Sequence, residues 1–234
     1  MKVGVIVPSF RDDASALRAT REVEDIGLDG AFVFDHLWPM GQPDRPALSA
    51  FPLLGAMAAS TVRIAIGTLV ARVGLMPDEI LVASVATLGR IAPGRVIVGM
   101  GTGDSKSAAE NIAYGIAFGS SEERRSMLAS CTRAVLDLGI PVWVGGGARA
   151  TNLLAEEAGA AVNLWNVQPA ELADQSLRSE VTWAGPIGED VPQVSRRLAE
   201  ISDAGATWAV CSWPPSLEVL AEAARSIAPS IDRG

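Results

Sequence analysis

The chain has 234 residues, 49% hydrophobic and 20% charged, with glycine and proline spread along its length; such a composition can bury a large core and excludes disorder. Nineteen basic residues against 27 acidic ones leave a net charge of -8, which argues against a nucleic-acid partner. The longest apolar runs, such as residues 51–59, fall well short of the roughly 20 residues that span a bilayer, and no leader precedes the apolar run at Val3. A cytoplasmic protein with no membrane partner is expected.

Short β-rich runs alternate with longer amphipathic stretches, the order of repeated βα units around a parallel sheet. The first unit is a strand near residues 3–8 and a helix near 13–26, and the second a strand near 31–35 and a helix near 51–59. Strands near 64–70 and 96–101 follow, with helices near 78–88 and 122–138. The remaining units place strands near 142–145, 161–165, 181–184 and 207–212, and helices near 150–158, 169–176, 191–204 and 217–228. Each strand reads as nearly continuous apolar sequence, as strands covered on both faces do. Gly27, Gly139, Gly159 and Gly205 follow four of the helices, where a left-handed C-terminal turn favours glycine. Cys131 and Cys211 are expected as reduced core residues, one in a helix and one in a strand.

Eight such units close most naturally into a compact α/β fold, the (β/α)8 TIM barrel. No composition shift or long linker divides residues 1–234, so a single domain is expected. The two long strand-to-helix connections, residues 36–50 and 102–121, fall on the face where such barrels hold their sites.

The unusual polar residues also gather at the C-terminal ends of the predicted strands. His36 is the one histidine, in Phe32-Val-Phe-Asp-His-Leu-Trp38, where a buried strand runs out into Asp35, His36 and Trp38. A group that donates, accepts or holds a proton near neutral pH suits catalysis, but a histidine bonded to a loop would read the same way. Thr68 ends strand 3. At the exit of strand 4, Gly99-Met-Gly-Thr-Gly-Asp104 offers Gly101, Thr102 and Gly103 for close approach of a ring or phosphate, and Asp104 and Lys106 follow. Lys106 is either an anion contact or a solvated loop residue. Gly145, Gly146 and Gly147 end strand 5 and open a helix carrying Arg149, which suits a phosphate or simply a tight turn. Most tryptophans are expected in the core, while Trp38, Trp165 and Trp213 are placed to wall a flat ligand. No spacing fits a metal site, a Gly-x-Ser-x-Gly elbow or a Walker loop. For substrate specificity, the visible anchors are Lys106, Arg45 and Arg72.

Taken together, Val3-Gly-Val-Ile-Val-Pro-Ser-Phe10, the segment 27–38, Arg63-Ile-Ala-Ile-Gly-Thr-Leu-Val70 and the segment 94–104 resemble the bacterial luciferase-like monooxygenase superfamily. The likeness is greatest to its branch that uses deazaflavin coenzyme F420, and residues 140–147 continue it. The resemblance implies a barrel that binds a flavin or deazaflavin at the strand ends, with Asp35 and His36 beside the reactive ring and His36 stabilising the intermediate or exchanging a proton during hydride transfer between the ring and a small organic substrate. It implies a non-proline cis peptide supporting the ring, with Leu69-Val70 the matching pair. It also aligns Asp104 with an acidic proton donor of sugar-phosphate-oxidising relatives. An FMN-dependent monooxygenase and a non-catalytic flavin-binding paralogue stay open as alternatives. Many relatives carry a longer covering segment after strand 7, which is short here, so the lid is missing or comes from elsewhere; the resemblance implies a homodimer, whose partner subunit could supply it.

Overall fold

The computed structural model describes residues 1–9, 15–39, 42–45, 47–173 and 177–227. Eight parallel strands close into a barrel in sequence order: β1 (Lys2–Ile6), β2 (Gly30–Val33), β3 (Ala65–Arg72), β4 (Val96–Gly101), β5 (Val142–Gly145), β6 (Ala161–Trp165), β7 (Val181–Gly185) and β8 (Trp208–Cys211). β8 returns to β1 with Lys2 opposite Trp208 and Val5 opposite Cys211, so no sheet edge is left exposed.

Alternation along each strand separates two cores. One set of side chains, including Val3, Val5, Ile66, Val98 and Leu164, packs outward beneath the helices. The other fills the lumen with Ile6, Phe32, Leu69, Trp143, Trp208 and Val210. Phe32 stacks on Trp143 at 5.2 Å between ring centroids, and Trp208 meets Trp143 edge-on at 5.4 Å. At roughly 200 Å² per ring and about 25 cal/mol per Å², each buries on the order of 5 kcal/mol of apolar surface before entropy is subtracted. Glycine makes this filling possible at two places. A Cβ on Gly30 would lie 3.0 Å from both the Phe32 and Trp208 rings, and one on Gly67 would lie 1.9 Å from the Ile97 carbonyl oxygen.

The helices lie close to where the sequence periodicity puts them: α1 (Ser15–Asp25), α2 (Ala50–Ser60), α3 (Asp78–Ile91), α5 (Ser121–Asp137), α6 (Arg149–Ala158), α7 (Pro169–Ala173), α8 (Val191–Asp203) and α9 (Leu217–Ile227). The expected helix residues 13–14, 174–176 and 228 lie outside the described residues, as do Phe10 and positions 40, 41 and 46 of the long connection after β2. Gly27, Gly139, Gly159 and Gly205 all have positive φ, as their turns require. α5 begins with a capping box in which the Ser120 hydroxyl accepts from the Glu123 N–H and the Glu123 carboxylate accepts from the Ser120 N–H.

One element was not expected. The connection after β4 contains a 3-10 turn, Ser105–Ser107, running into α4, Ala108–Ala113. Six residues are too few to display a helical period, so this stretch reads as loop from sequence. Among the described residues no helix is long and apolar enough to cross a membrane.

Charged groups at the N-terminal end of the barrel serve the fold. The Glu24 carboxylate accepts the N–H groups of Val62, Arg63 and Ile64, and Arg95 donates to the Ala58 and Ile64 carbonyls and to the Thr61 hydroxyl. These contacts tie the entry of β3 to the ends of α1 and α2, the stabilising role expected of that face.

Candidate active site

At the opposite end, β2 extends beyond its last ladder residue into Phe34, Asp35 and His36. The Phe34 and His36 rings meet at 6.3 Å. Asp35, between them, turns toward β3. Its Oδ2 accepts the Arg72 N–H at 3.2 Å, and its carbonyl oxygen accepts from Arg72 Nε at 3.1 Å. Burial pushes the Asp35 carboxyl above its ordinary value, outweighing the Arg72 backbone bond and the guanidinium charge. Asp35 therefore anchors β3, while the neighbouring imidazole is the group that packs with Phe34.

The partner of His36 comes from α4. Glu110 Oε2 lies 2.9 Å from His36 Nδ1 and 2.9 Å from an Arg72 guanidinium nitrogen, while Oε1 accepts the Leu37 N–H. Arg72 also donates to Asn111 Oδ1 at 3.4 Å, and the Asn111 amide donates to the Gly74 carbonyl at 3.2 Å. Arg72 and Glu110 are 4% and 2% exposed, so this ion pair sits in a low-dielectric setting where removing either partner costs roughly 3–5 kcal/mol. Burial alone would raise the Glu110 carboxyl, but the His36 ring, the Leu37 N–H and Arg72 together hold it below its ordinary value. Burial lowers the Arg72 value in turn, against the opposing pull of Glu110 and Asp35. A carboxylate only accepts, so His36 Nδ1 carries the hydrogen and Nε2 is the basic nitrogen of the neutral ring.

A platform lies beside this group. The Leu69–Val70 peptide is cis, as the family resemblance implied, and the β3–β4 register shifts between Thr68 and Ala71. Thr68, buried, donates its hydroxyl to the Gly99 carbonyl at 2.7 Å and so fastens the bulge to β4. The Val70 isopropyl group sits between Gly101 and Gly145, where an added Cβ would lie 2.7 Å from a Val70 methyl on either side. Gly145, Gly146 and Gly147 lead into α6, whose N-cap, Ala148, supplies no capping side chain, and Arg149 is exposed on its first turn. The buried Asn152 Oδ1 in that turn has no hydrogen-bond partner among the described residues.

Across the lumen, Trp165 on β6 approaches Phe34 at 6.1 Å. These rings come from strands on opposite sides of the barrel, so their contact gives the mouth an aromatic floor. Trp165 remains 49% exposed. Trp38 packs on Tyr114, just past α4, at 5.6 Å. Outside the lumen, a cleft of about 750 Å³ opens between residues 73–77 and the start of α5 and reaches the site through Asn111.

The structure thus brings His36, Leu69, Val70, Gly101, Gly145 and Trp165 around one opening and assigns other sequence candidates differently. Asp104 is exposed, and its Oδ1 accepts the N–H groups of Lys106 and Ser107 at 2.9 and 3.2 Å, making it the cap of the 3-10 turn. The carboxylate that meets His36 is Glu110, which sequence reasoning missed. The Thr102 hydroxyl donates to the Gly103 carbonyl at 3.1 Å, and Lys106 is exposed on the turn. Arg72, read as a substrate anchor, is instead buried within the network. Trp213 packs on the outer core.

A parallel barrel with its polar groups converging on the C-terminal strand ends has the layout of an enzyme site of the (β/α)8 class. Within that class the assignment is specific: the sequence model of luciferase-like monooxygenases matches residues 1–138, and the chain belongs to that family. It is 29% identical to an F420-dependent glucose-6-phosphate dehydrogenase of Microbacterium testaceum, over 76% of this chain and 48% of that one. It is 46% identical to the enzyme of the same name from Beutenbergia cavernae, over 37% of this chain and 26% of the relative. The chain thus spans about half the length, or less, of these curated relatives. An F420-dependent secondary alcohol dehydrogenase in complex with an F420-acetone adduct superposes with a TM-score of 0.78 over 97% of this chain and 98% of that one, at 14% identity. The F420-dependent tetrahydromethanopterin reductase of Methanopyrus kandleri superposes with a TM-score of 0.71 over 95% and 97%, at 16% identity. Both share the fold.

Proposed function

We propose that this chain is an oxidoreductase that moves a hydride between deazaflavin coenzyme F420 and a small organic substrate. The observation carrying this reading is the His36–Glu110 contact of 2.9 Å beside the cis Leu69–Val70 platform. The names of the curated relatives, which specify F420, support the choice of coenzyme.

The residues present fit such a group. Leu69 and Val70 would back the ring, with Val70 held by the two glycines that leave it room. Gly101, Thr102 and Gly103 and the run Gly145, Gly146 and Gly147 bring backbone close to the same opening. The uncapped N-terminus of α6, with Arg149 beside it, suits the coenzyme's phosphate. Trp165 offers a flat apolar face. When bound, F420 supplies a ring carbon that accepts or releases a hydride.

The protein's part is to manage the proton. His36 takes or returns it at Nε2, and the Glu110 carboxylate stabilises the imidazolium that forms. Arg72 keeps Glu110 ionised, and Asp35 holds Arg72 in place, so both act through His36. Trp38 and Tyr114 border the substrate's approach. We further read the protein as a cytoplasmic homodimer. Its buried, reduced cysteines suit that compartment, and Ile80 and Ile91, exposed on one face of α3, suit self-association.

The test is anaerobic oxidation of chemically reduced F420 by a panel of ketones and sugars. Turnover is expected with at least one of them. His36→Ala should then slow hydride transfer by about 100-fold or more, with F420 affinity changed by less than about threefold. An unchanged rate would return His36 to a structural role.

A further inference from the structure

The mouth is electrostatically lopsided. After β6 the chain reads Asn166, Val167 and Gln168; after β7, Pro186, Ile187, Gly188, Glu189 and Asp190; after β8, Ser212-Trp-Pro-Pro-Ser216. None of these connections contains lysine or arginine; Arg197 of α8 donates to Gln168 Oε1 at 3.1 Å but lies over the ring of Trp183, which belongs to the outer core and not to the lumen. Asp190 accepts the Gln193 N–H at 2.9 Å as the cap of α8, and Glu189 is exposed. The surface that this half turns to the opening is aromatic, with Trp165 closing on Phe34.

Among the described residues, the cations elsewhere around the mouth are committed or badly placed for a substrate phosphate. Arg72 is buried against Glu110, Asp35 and Asn111. Arg45 is exposed and donates to Gln42 Oε1 at 2.9 Å. Arg11 of the connection after β1 lies outside the described residues. Lys106 and Arg149 are exposed on the β4 and β5 connections, beside the glycine runs assigned above to the coenzyme. A phosphate dianion over Trp165 would find no charge-assisted hydrogen bond there to replace the hydration it gives up.

We infer that the substrate is uncharged and predominantly apolar, such as a cyclic or aryl ketone or the matching secondary alcohol, and not a phosphorylated sugar. This rests on reading the mouth as a hydride-transfer site. Its one polar anchor is the carbonyl or hydroxyl oxygen that His36 addresses, and Trp165 and Phe34 receive the remainder. The chain therefore parts from the substrate named for its curated relatives.

Calorimetric titration of the full chain, with and without F420, against 1-tetralone and against glucose 6-phosphate tests this directly. Binding of F420 itself is measured separately by its fluorescence. The ketone should bind at least about tenfold more tightly than the sugar phosphate, and Trp165→Ser should weaken it about tenfold while Trp165→Phe restores most of the affinity. Circular dichroism checks that both variants fold. Tighter binding of glucose 6-phosphate, or ketone binding indifferent to Trp165→Ser, overturns the inference even if F420 binds well. Absence of F420 binding overturns the coenzyme reading instead, and the ketone titration of the chain alone still decides the chamber's preference.

Discussion

On the β2–β4 side of the mouth, Asp35, Arg72 and Glu110 are buried in mutual contact and hold one imidazole by its Nδ1 atom. On the β6–β8 side, Trp165 at the end of β6 faces Phe34, and connections of a few residues contain no lysine or arginine. Among the described residues, the cation bonded to them is Arg197 of α8, which donates to Gln168 and lies over Trp183 of the outer core. The first side uses long connections, one of which folds back as α4 to deliver Glu110. It holds its groups by charge in a dry setting, where geometry is demanding and substitution is costly. The second side relies on apolar contact, which is tolerant of shape and selective mainly against charge. On the function proposed above, chemistry and substrate selection are divided between the two halves, with the glycines of β4 and β5 between them.

The largest expected effect lies on the charged side. Glu110→Gln removes the partner of buried Arg72 and should destabilise the fold by about 3 kcal/mol, a fall in Tm of roughly 6–12 °C for a domain of this size. Because Glu110 has a folded-state pKa below its unfolded value, its contribution is fully present above the ordinary carboxylate range. That contribution is lost as pH falls through the depressed value. Acid denaturation curves of the wild type and Glu110→Gln should therefore converge at the acid end. Parallel curves would remove Glu110 from the network.

His36→Ala separates chemistry from stability within the same half. The ring is partly exposed, so Tm should move by no more than about 2 °C while the hydride-transfer rate falls as given above. Gly145→Ala probes the boundary between the halves. The new methyl meets Val70 and should cost about 1–2 kcal/mol and weaken F420 binding, whereas Gly147→Ala, with nothing within 4 Å of the added Cβ, should leave the stability unchanged. Trp165→Ser should cost less than about 1 kcal/mol because the ring is half-exposed. A loss matching that of Glu110→Gln would erase the contrast between the two sides.

Much of this was legible in the residues. Eight apolar runs separated by amphipathic stretches and glycine turns led to a closed barrel, and Leu69-Val70 was identified as the cis pair from family motifs. The position of His36 at a strand end was equally visible. Its partner was not, because Glu110 sits 74 residues away on a helix too short to register as one. Asp104 attracted attention through its place after a glycine run, yet that position is also where a turn needs a cap, and local sequence does not separate the two. Arg72 reads as a substrate anchor because the strand expected from the sequence ends at Val70, whereas β3 continues past its bulge to Arg72 and carries that side chain inward, a shift the local sequence does not foresee.

The account depends most on the kind of ring that the Val70 platform accepts. Titrating the purified chain with F420 and, separately, with FMN, while following tryptophan emission, tests this directly. Saturable binding of F420 at micromolar concentration, with FMN at least about tenfold weaker, is the predicted result. Micromolar binding of FMN without binding of F420 would contradict it.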